Sequence, residues 1–252
     1  MTITIITGGS RGIGRSTALQ CAARGSGVIL TYNSNPEGAD EVVRMIDADG
    51  GKAVSLKLDV SDIASFARFK DNVAAALAAT WNRTDFDHLV NNAGYGLFNS
   101  IATVTEAEFD GLFAVHLKGP FFLTQALLPL MADGGAIVNL TSATTRVATA
   151  GVAPDAAVKG GLDLLTRYMA KEFGANEFGG RRIRANAVSP GPIRTELGGG
   201  LNDEFEALLA GQTALGRVGE PDDVGRVIAG LLSDDSGWIN AQTIEVAGGY
   251  VV

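Results

Sequence analysis

The sequence predicts one α/β domain in which a parallel sheet carries helices on both faces. Three observations carry that expectation. Apolar, β-branched runs alternate with helix-like stretches along the whole chain, the pattern of a doubly wound sheet. A glycine-rich turn joins the first run to the first helix. The chain has 252 residues, a length that suits a single large α/β domain, and no linker, internal repeat or low-complexity tract divides it.

The elements follow in order. Residues 3–7 are a β-branched run ending in glycines, and residues 12–24 read as the first helix. Residues 28–32 and 52–58 are the next strands, separated by a helix over 36–49. An Ala-rich helix over 61–79 leads to a fourth strand at 86–91. Long helical stretches fill 106–131, and a fifth strand follows at 136–141. A helix over 154–172, a sixth strand at 182–188 and a short seventh at 243–246 complete the pattern. Crossovers between such parallel strands are right-handed in almost every known case.

Composition narrows the function. Lys and Arg number 20 against 28 Asp and Glu, a net charge of -8. That balance argues against a nucleic-acid or anionic-membrane partner, while leaving room for a small phosphate-bearing ligand. Cys21 is the single cysteine, so neither an intrachain disulfide nor a Cys-rich metal site is expected; it reads as a small buried residue on a helix. A chain of this length buries enough apolar surface to need no staple. The longest apolar candidate, residues 120–131, is interrupted by Thr124, Gln125 and Pro129 and is too short to span a bilayer. Residues 1–7 have neither the basic start nor the cleavage region of a signal peptide. The expectation is a soluble, cytoplasmic protein.

The turn Thr7-Gly8-Gly9-Ser10-Arg11-Gly12-Ile13-Gly14 lies between strand and helix. Glycines allow a tight turn and let a phosphate approach the backbone, and the helix start offers N–H groups and the positive end of a dipole. An ordinary strand–helix turn has some of these features. The β-α-β context favours a dinucleotide, and with it a Rossmann-like fold with seven parallel strands.

Six segments carry the pattern. Gly8, Gly12 and Gly14 fit Thr-Gly, three residues, Gly-x-Gly, and Asp59-Val60 follows the third strand. Asn91-Asn92-Ala93-Gly94 ends the fourth, and Ile137-Val138-Asn139-Leu140-Thr141-Ser142 forms the fifth. Ser189-Pro190-Gly191-Pro192-Ile193-Arg194-Thr195 follows the sixth, and Gly216-Arg217-Val218-Gly219-Glu220-Pro221 leads towards Gly248-Gly249. On these motifs the whole chain resembles the short-chain dehydrogenase/reductase family, in its 3-oxoacyl-reductase-like form. The resemblance implies cofactor contacts from Gly8, Ser10, Arg11, Gly12, Ile13 and Gly14, from Asn33, and from Asp59 and Val60 at the adenine. It adds Asn91, Ala93, Gly94 and Lys159, and Pro190, Gly191, Ile193 and Thr195 beside the nicotinamide carboxamide and pyrophosphate. It also implies a small-molecule substrate and a homo-oligomer, tetramer or dimer, assembled through the long helices and the C-terminal strand. The apolar end Tyr250-Val251-Val252 fits burial at such an interface.

Cofactor choice turns on the second strand. It ends Thr31-Tyr32-Asn33-Ser34, without the carboxylate that binds the ribose 2′-OH of NAD and repels a 2′-phosphate. Arg11 is a guanidinium able to pair with that phosphate. NADP(H) is expected over NAD(H).

The resemblance implies Ser, Tyr and Lys as the catalytic set, with an assisting Asn. Ser142 and Lys159 align with it. Asp155 stands where the Tyr belongs, four residues before Lys159, and His116 stands at the Asn position. The tyrosines are at 32, 95, 168 and 250, so no shifted alignment restores Tyr-x-x-x-Lys. Asp155 and Lys159 share a helix face. A free Asp has a pKa of about 3.9, and a neighbouring ammonium lowers it, so an anion is expected at pH 7. An acid role there needs a rise of roughly 3 units, about 4 kcal/mol. Burial can supply that rise but Lys159 opposes it, and Asp is much shorter than Tyr, so conventional ketone reduction is expected to be impaired.

Three readings follow. Asp155 favours a cationic iminium, and the substrate is a cyclic imine. Alternatively His116 or a water relay replaces the phenol, and carbonyl reduction continues at a lower rate. Or the chain binds a dinucleotide without turnover, as a sensor or partner subunit. An introduced Asp155 in an ordinary reductase reads the same way in the sequence.

Other residues carry lesser expectations. His88 reads as structural, His116 as either packing or site, and Tyr95 as pocket lining, proton donor or surface packing. Trp81 and Trp238 are expected to pack on neighbours, and Arg181, Arg182 and Arg184 to form a solvated strand entrance. Residues 196–211 hold Gly198-Gly199-Gly200 and then a helix with Leu201, Phe205, Leu208 and Leu209, similar to the family's substrate-covering loop. With Phe98, Phe113 and Phe121 they suggest an uncharged substrate.

Overall fold

The computed structural model describes residues 1–177, 179–196, 200 and 202–252. Seven parallel strands form one sheet: β1 (Ile3–Ile6), β2 (Gly27–Tyr32), β3 (Ala53–Lys57), β4 (Phe86–Asn91), β5 (Met131–Leu140), β6 (Arg184–Pro190) and β7 (Thr243–Val246), in the order β3-β2-β1-β4-β5-β6-β7. The order reverses beside β1, and in such sheets ligands bind at the carboxyl ends of the strands next to that reversal. The expected Rossmann-like fold is the one observed.

Central strands are apolar throughout because both faces are covered. Ile3, Ile5, Ile29, Leu89 and Ile137 face one layer, built from α3 (Phe66–Trp81), α5 (Gly119–Leu127) and α6 (Ala153–Glu172). Its contacts include Phe69, Val73, Leu123 and Met169. Ile6, Leu30, Val90 and Val138 face the other, built from α1 (Gly12–Ala23), α2 (Pro36–Ala48) and α8 (Pro221–Leu232). Cys21 belongs to this second layer, and burial pushes its thiol up to about 12. Among the described residues no helix is long and apolar enough to cross a membrane.

Several boundaries differ from the sequence reading. The expected helical stretches over 106–131 are α4 (Glu106–Phe113), a π-helical turn (Ala114–Lys118) and α5, and Met131 already belongs to β5. β5 is longer than expected because its first residue pairs with Phe86, ahead of a register shift between Phe86 and His88. β6 begins at Arg184, since Arg182 adopts φ 54, outside the range of a strand. The expected helix over 61–79 starts at Phe66, after a 3₁₀ turn. Helix α8, absent from the sequence reading, is capped by the reciprocal Glu220–Asp223 pair, carries Pro221 in its first turn, and packs Gly225 on Ser16 of α1.

Three side-chain expectations also change. Arg184 is partly buried and donates to the carbonyls of Ile239 (3.2 Å) and Leu231 (3.0 Å), and Arg181 bonds Asp133 and the Met131 carbonyl. These two arginines tie loops to the sheet; of the three, Arg182 alone is exposed. Trp238 is fully exposed, while Trp81 lies over Gly27. Tyr250 is buried by its own chain, leaving Val251 and Val252 exposed. Of the expected covering segment, α7 (Asp203–Gly211) is present with Phe205, Leu208 and Leu209; Gly198, Gly199 and Leu201 lie outside the described residues.

Candidate active site

The glycine turn is held from beneath. Thr7 Oγ1 accepts from the amides of Asn92 (2.9 Å) and Ala93 (3.0 Å), and Asn92 Nδ2 donates to the carbonyls of Thr7 (2.8 Å) and Gly8 (3.1 Å). Gly8 has φ +67, and a Cβ there would lie 2.9 Å from Ala93 Cα. A side chain at Gly14 would enter the Gly8 carbonyl. These positions therefore require glycine. α1 opens with Arg11 at its N-cap and no side-chain cap, whereas Asn35 caps α2 and Thr105 caps α4. A bare helix start cradled by glycines suits a pyrophosphate, so the residues present fit a dinucleotide.

The remaining expected cofactor residues lie along the same edge. Asn33 is exposed just beyond β2. Asp59 Oδ1 accepts from the amide (2.9 Å) and hydroxyl (2.7 Å) of Ser61 beside buried Val60. Pro190 ends β6, the Gly191 amide donates to Val246 O at 3.2 Å, Ile193 bridges to Gly219, and the Thr195 methyl is 3.4 Å from where a Gly12 Cβ would sit. One residue departs from expectation. The Asn91 side chain turns inward, donating to Asn139 (2.8 Å) and Thr124 (3.2 Å), so it braces β4 against its neighbours. Arg11 reaches across to Glu196 at 3.2 Å, with both side chains exposed.

Ser142 follows β5. Its Oγ accepts from the Thr144 hydroxyl (2.8 Å) and amide (3.2 Å), which leaves its own O–H to donate outward. Lys159 of α6 is buried and donates from Nζ to Leu140 O at 2.7 Å. Asp155 lies one turn earlier with 18% of its side chain exposed, and its Oδ1 is 3.9 Å from His116 Nε2. The π-helical turn carries His116 inward. His116 Nε2 is 3.0 Å from the Tyr95 carbonyl, its ring lies over Gly94, and its Nδ1 has no partner among the described residues. The Tyr95 ring sits 5.5 Å from the His116 ring at 50°, and the Tyr95 hydroxyl lies over Gly111 of α4. The structure thus gathers Tyr95, His116, Asp155 and Lys159 in one cluster.

Burial dominates the electrostatics. It raises the Asp155 carboxyl above its ordinary value, against the opposing pull of Lys159. This reverses the sequence expectation of a lowered pKa, because desolvation disfavours the charged form by more than the ammonium favours it. Burial pushes Lys159 down to about 8, with Asp155 resisting. It pushes His116 down to about 2, assisted by the Lys159 charge. Burial thus favours the neutral imidazole, which disfavours His116 as the acid. Burial, then the charges of Asp155 and Glu108, raise the Tyr95 phenol.

The sequence gives no separate role to Thr7, Asn92 or Arg146. Thr7 and Asn92 lie inside the glycine and Asn-Asn-Ala-Gly motifs; Arg146 carries no sequence signal.

The chain matches the family model described as Enoyl-(Acyl carrier protein) reductase over residues 8–251. It is 38% identical over 250 residues to an uncharacterised oxidoreductase of Methylorubrum extorquens, covering 98% of this chain and 96% of that protein. It is 33% identical over 261 residues to the trihydroxynaphthalene reductase of Colletotrichum orbiculare, covering 98% and 88%. Among solved structures it superposes on the angucycline C-6 ketoreductase LanV with bound NADP at a TM-score of 0.94, with 32% identity and coverage of 99% and 95%. These matches span nearly the whole chain: the chain is an oxidoreductase of the short-chain dehydrogenase/reductase family.

Proposed function

We propose that the chain uses NADP(H) to reduce the carbonyl of an apolar aromatic ketone, with Asp155 in the place of the proton donor. The observation that carries this reading is the placement of Asp155, one turn before Lys159, mostly buried and 3.9 Å from His116, where burial raises its carboxyl above the ordinary value against the pull of the lysine. The relatives support the substrate class, one being a trihydroxynaphthalene reductase and another an angucycline ketoreductase. Phe98 and Leu208, 64% and 58% exposed, offer apolar surface to such a ring system.

NADP(H), when bound, supplies or accepts the hydride. Gly8, Gly12, Ile13 and Gly14 receive the pyrophosphate at the start of α1, with Ser10 alongside. Arg11 is the cation for the 2′-phosphate, and Asn33 leaves that phosphate unopposed. Asp59 and Val60 flank the adenine, and Ala93 and Gly94 follow the strand end beside the ribose. Pro190, Gly191, Ile193 and Thr195 hold the carboxamide end. Lys159 binds the nicotinamide ribose hydroxyls, and Ser142 donates to the substrate oxygen. Asp155 is shorter than a tyrosine, so a proton from it would reach that oxygen through a water. A cyclic imine is the second reading: a carboxylate this desolvated stabilises an iminium carbon when ionised. The protein works as a homo-oligomer.

The test compares wild type, Asp155→Tyr and Asp155→Asn on aromatic ketones and cyclic imines across pH. Wild-type ketone reduction is expected to fall as pH rises through the raised carboxyl pKa, while the Tyr variant remains active to higher pH. Asp155→Asn binds NADPH but loses about a hundredfold in ketone turnover, the size of a lost general acid. Equal ketone rates in wild type and Asp155→Asn remove Asp155 as the donor. Turnover of imines alone favours the second reading, and binding without any turnover favours a sensor.

A further inference from the structure

Arg146 joins two parts of the molecule that the reaction keeps apart in sequence. It closes the short turn that begins at Ser142: its amide donates to Ala143 O at 3.0 Å, and the Thr145 amide to Ser142 O at 3.1 Å. Its guanidinium grips Glu245 of β7 with two bonds, Nε to Oε2 at 2.7 Å and Nη2 to Oε1 at 2.6 Å. The same group donates to the main-chain carbonyls of Tyr250 (2.7 Å) and Val251 (3.0 Å). A planar fork filling this many acceptors fixes orientation as well as distance.

The tail it grips is itself laced to the segment after α7. Val251 N donates to Gln212 O at 2.9 Å, and the amides of Ala214 and Leu215 donate to Gly249 and Gly248 at 3.1 Å each. Tyr250 is 7% exposed and packs with Ala143, Val147 and Leu209. Val251 adopts φ +49, a conformation that β-branched residues avoid and that persists only where its surroundings over-determine it. On the other side, the Asn99 amide donates to Gly151 O at 2.8 Å, tying the loop after β4 to the loop after β5.

We propose that Arg146 is a positioning residue that locks the Ser142 turn to the C-terminal tail and, through the tail, to the segment after α7. The inference rests on the proposed contact of Ser142 with the substrate oxygen. A turn free to shift by about 1 Å loses on the order of a hundredfold in rate when it carries a reacting contact.

Wild type, Arg146→Ala, Arg146→Lys and Glu245→Gln are compared in three measurements: NADPH titration, steady-state kinetics on an aromatic ketone, and amide hydrogen exchange. Both Arg146 variants keep NADPH affinity within about twofold and keep KM, while kcat falls at least about tenfold in Arg146→Ala and less in Arg146→Lys. Exchange accelerates over residues 142–151 and 212–215 together, and Glu245→Gln shows the same pattern more weakly. Faster exchange confined to residues 248–252, with kcat unchanged, overturns the proposal. If wild type turns over no ketone, the functional reading fails, and the exchange pattern still decides the lock. Arg146→Lys keeps the test valid should Arg146→Ala misfold.

Discussion

Lys159, ordinarily at 10.5, is buried and pushed down to about 8. The folded state therefore favours its neutral form. Its contribution to stability is greatest above the unfolded pKa and is lost as pH falls through the folded one. At pH 7 a shift of roughly 2.5 units corresponds to on the order of 3 kcal/mol against the fold. Lys159→Met removes that penalty and loses the bond to Leu140 O, worth about 1 kcal/mol. The variant is expected to gain about 2 kcal/mol in urea unfolding at pH 7, with the gap closing towards pH 10.5, and to lose turnover. A variant less stable than wild type at pH 7 contradicts the account. Sequence alone brought Ser142, Asp155, Lys159 and His116 to attention, because motif order and the i, i+4 spacing are written in it. It misjudged the direction of the Asp155 shift, since the neighbouring lysine is visible in the sequence and the depth of burial is not. Asn91 was assigned to the cofactor for the same reason: a strand-end asparagine looks alike whether it faces the cleft or the core.

Between α4 and α5 the chain departs from regular helix at the residue that matters to the site. The π-helical turn places His116 against Tyr95 and Asp155, and such turns are common at functional positions. Gly119 follows immediately, and a Cβ there would collide with the Val60 carbonyl and lie 2.9 Å from Ala114 O. Helix propensity alone makes Gly119→Ala favourable by about 1 kcal/mol. Overpacking against backbone costs about 1–3 kcal/mol, and neither carbonyl is the free end of a side chain. Packing is therefore expected to win: Gly119→Ala lowers the melting temperature, and NADPH binding weakens with it because Val60 carries the strain into the adenine side. A raised melting temperature would show that propensity governs. The alternation of strands and helices was legible because buried strands read as apolar runs. The end of the helical stretch before residue 131 was not, because the pairing that makes Met131 the first residue of β5, opposite Phe86, is a tertiary fact.

The proposed homo-oligomer would form on what the single chain leaves uncovered. Phe113, Phe121, Leu164 and Tyr168 are 40%, 43%, 52% and 58% exposed. They share a groove with Leu117 and Gly161, across the π-helical turn, α4, α5 and α6. A contiguous apolar face of this kind marks a protein partner, and a second copy of the same face closes a two-fold dimer without leaving an open edge. The same elements carry His116, Asp155 and Lys159 on their inner side, so a copy docked outside stiffens the supports of the site. With a net charge of -8 per chain, long-range repulsion opposes association, and apolar burial has to exceed it. Phe121→Glu combined with Tyr168→Glu places new carboxylates in that face. Light scattering is expected to show the wild type as an oligomer and the double variant as a monomer that still binds NADPH, with turnover reduced. A monomeric wild type at micromolar concentration, or a double variant of unchanged mass, assigns this face to another partner.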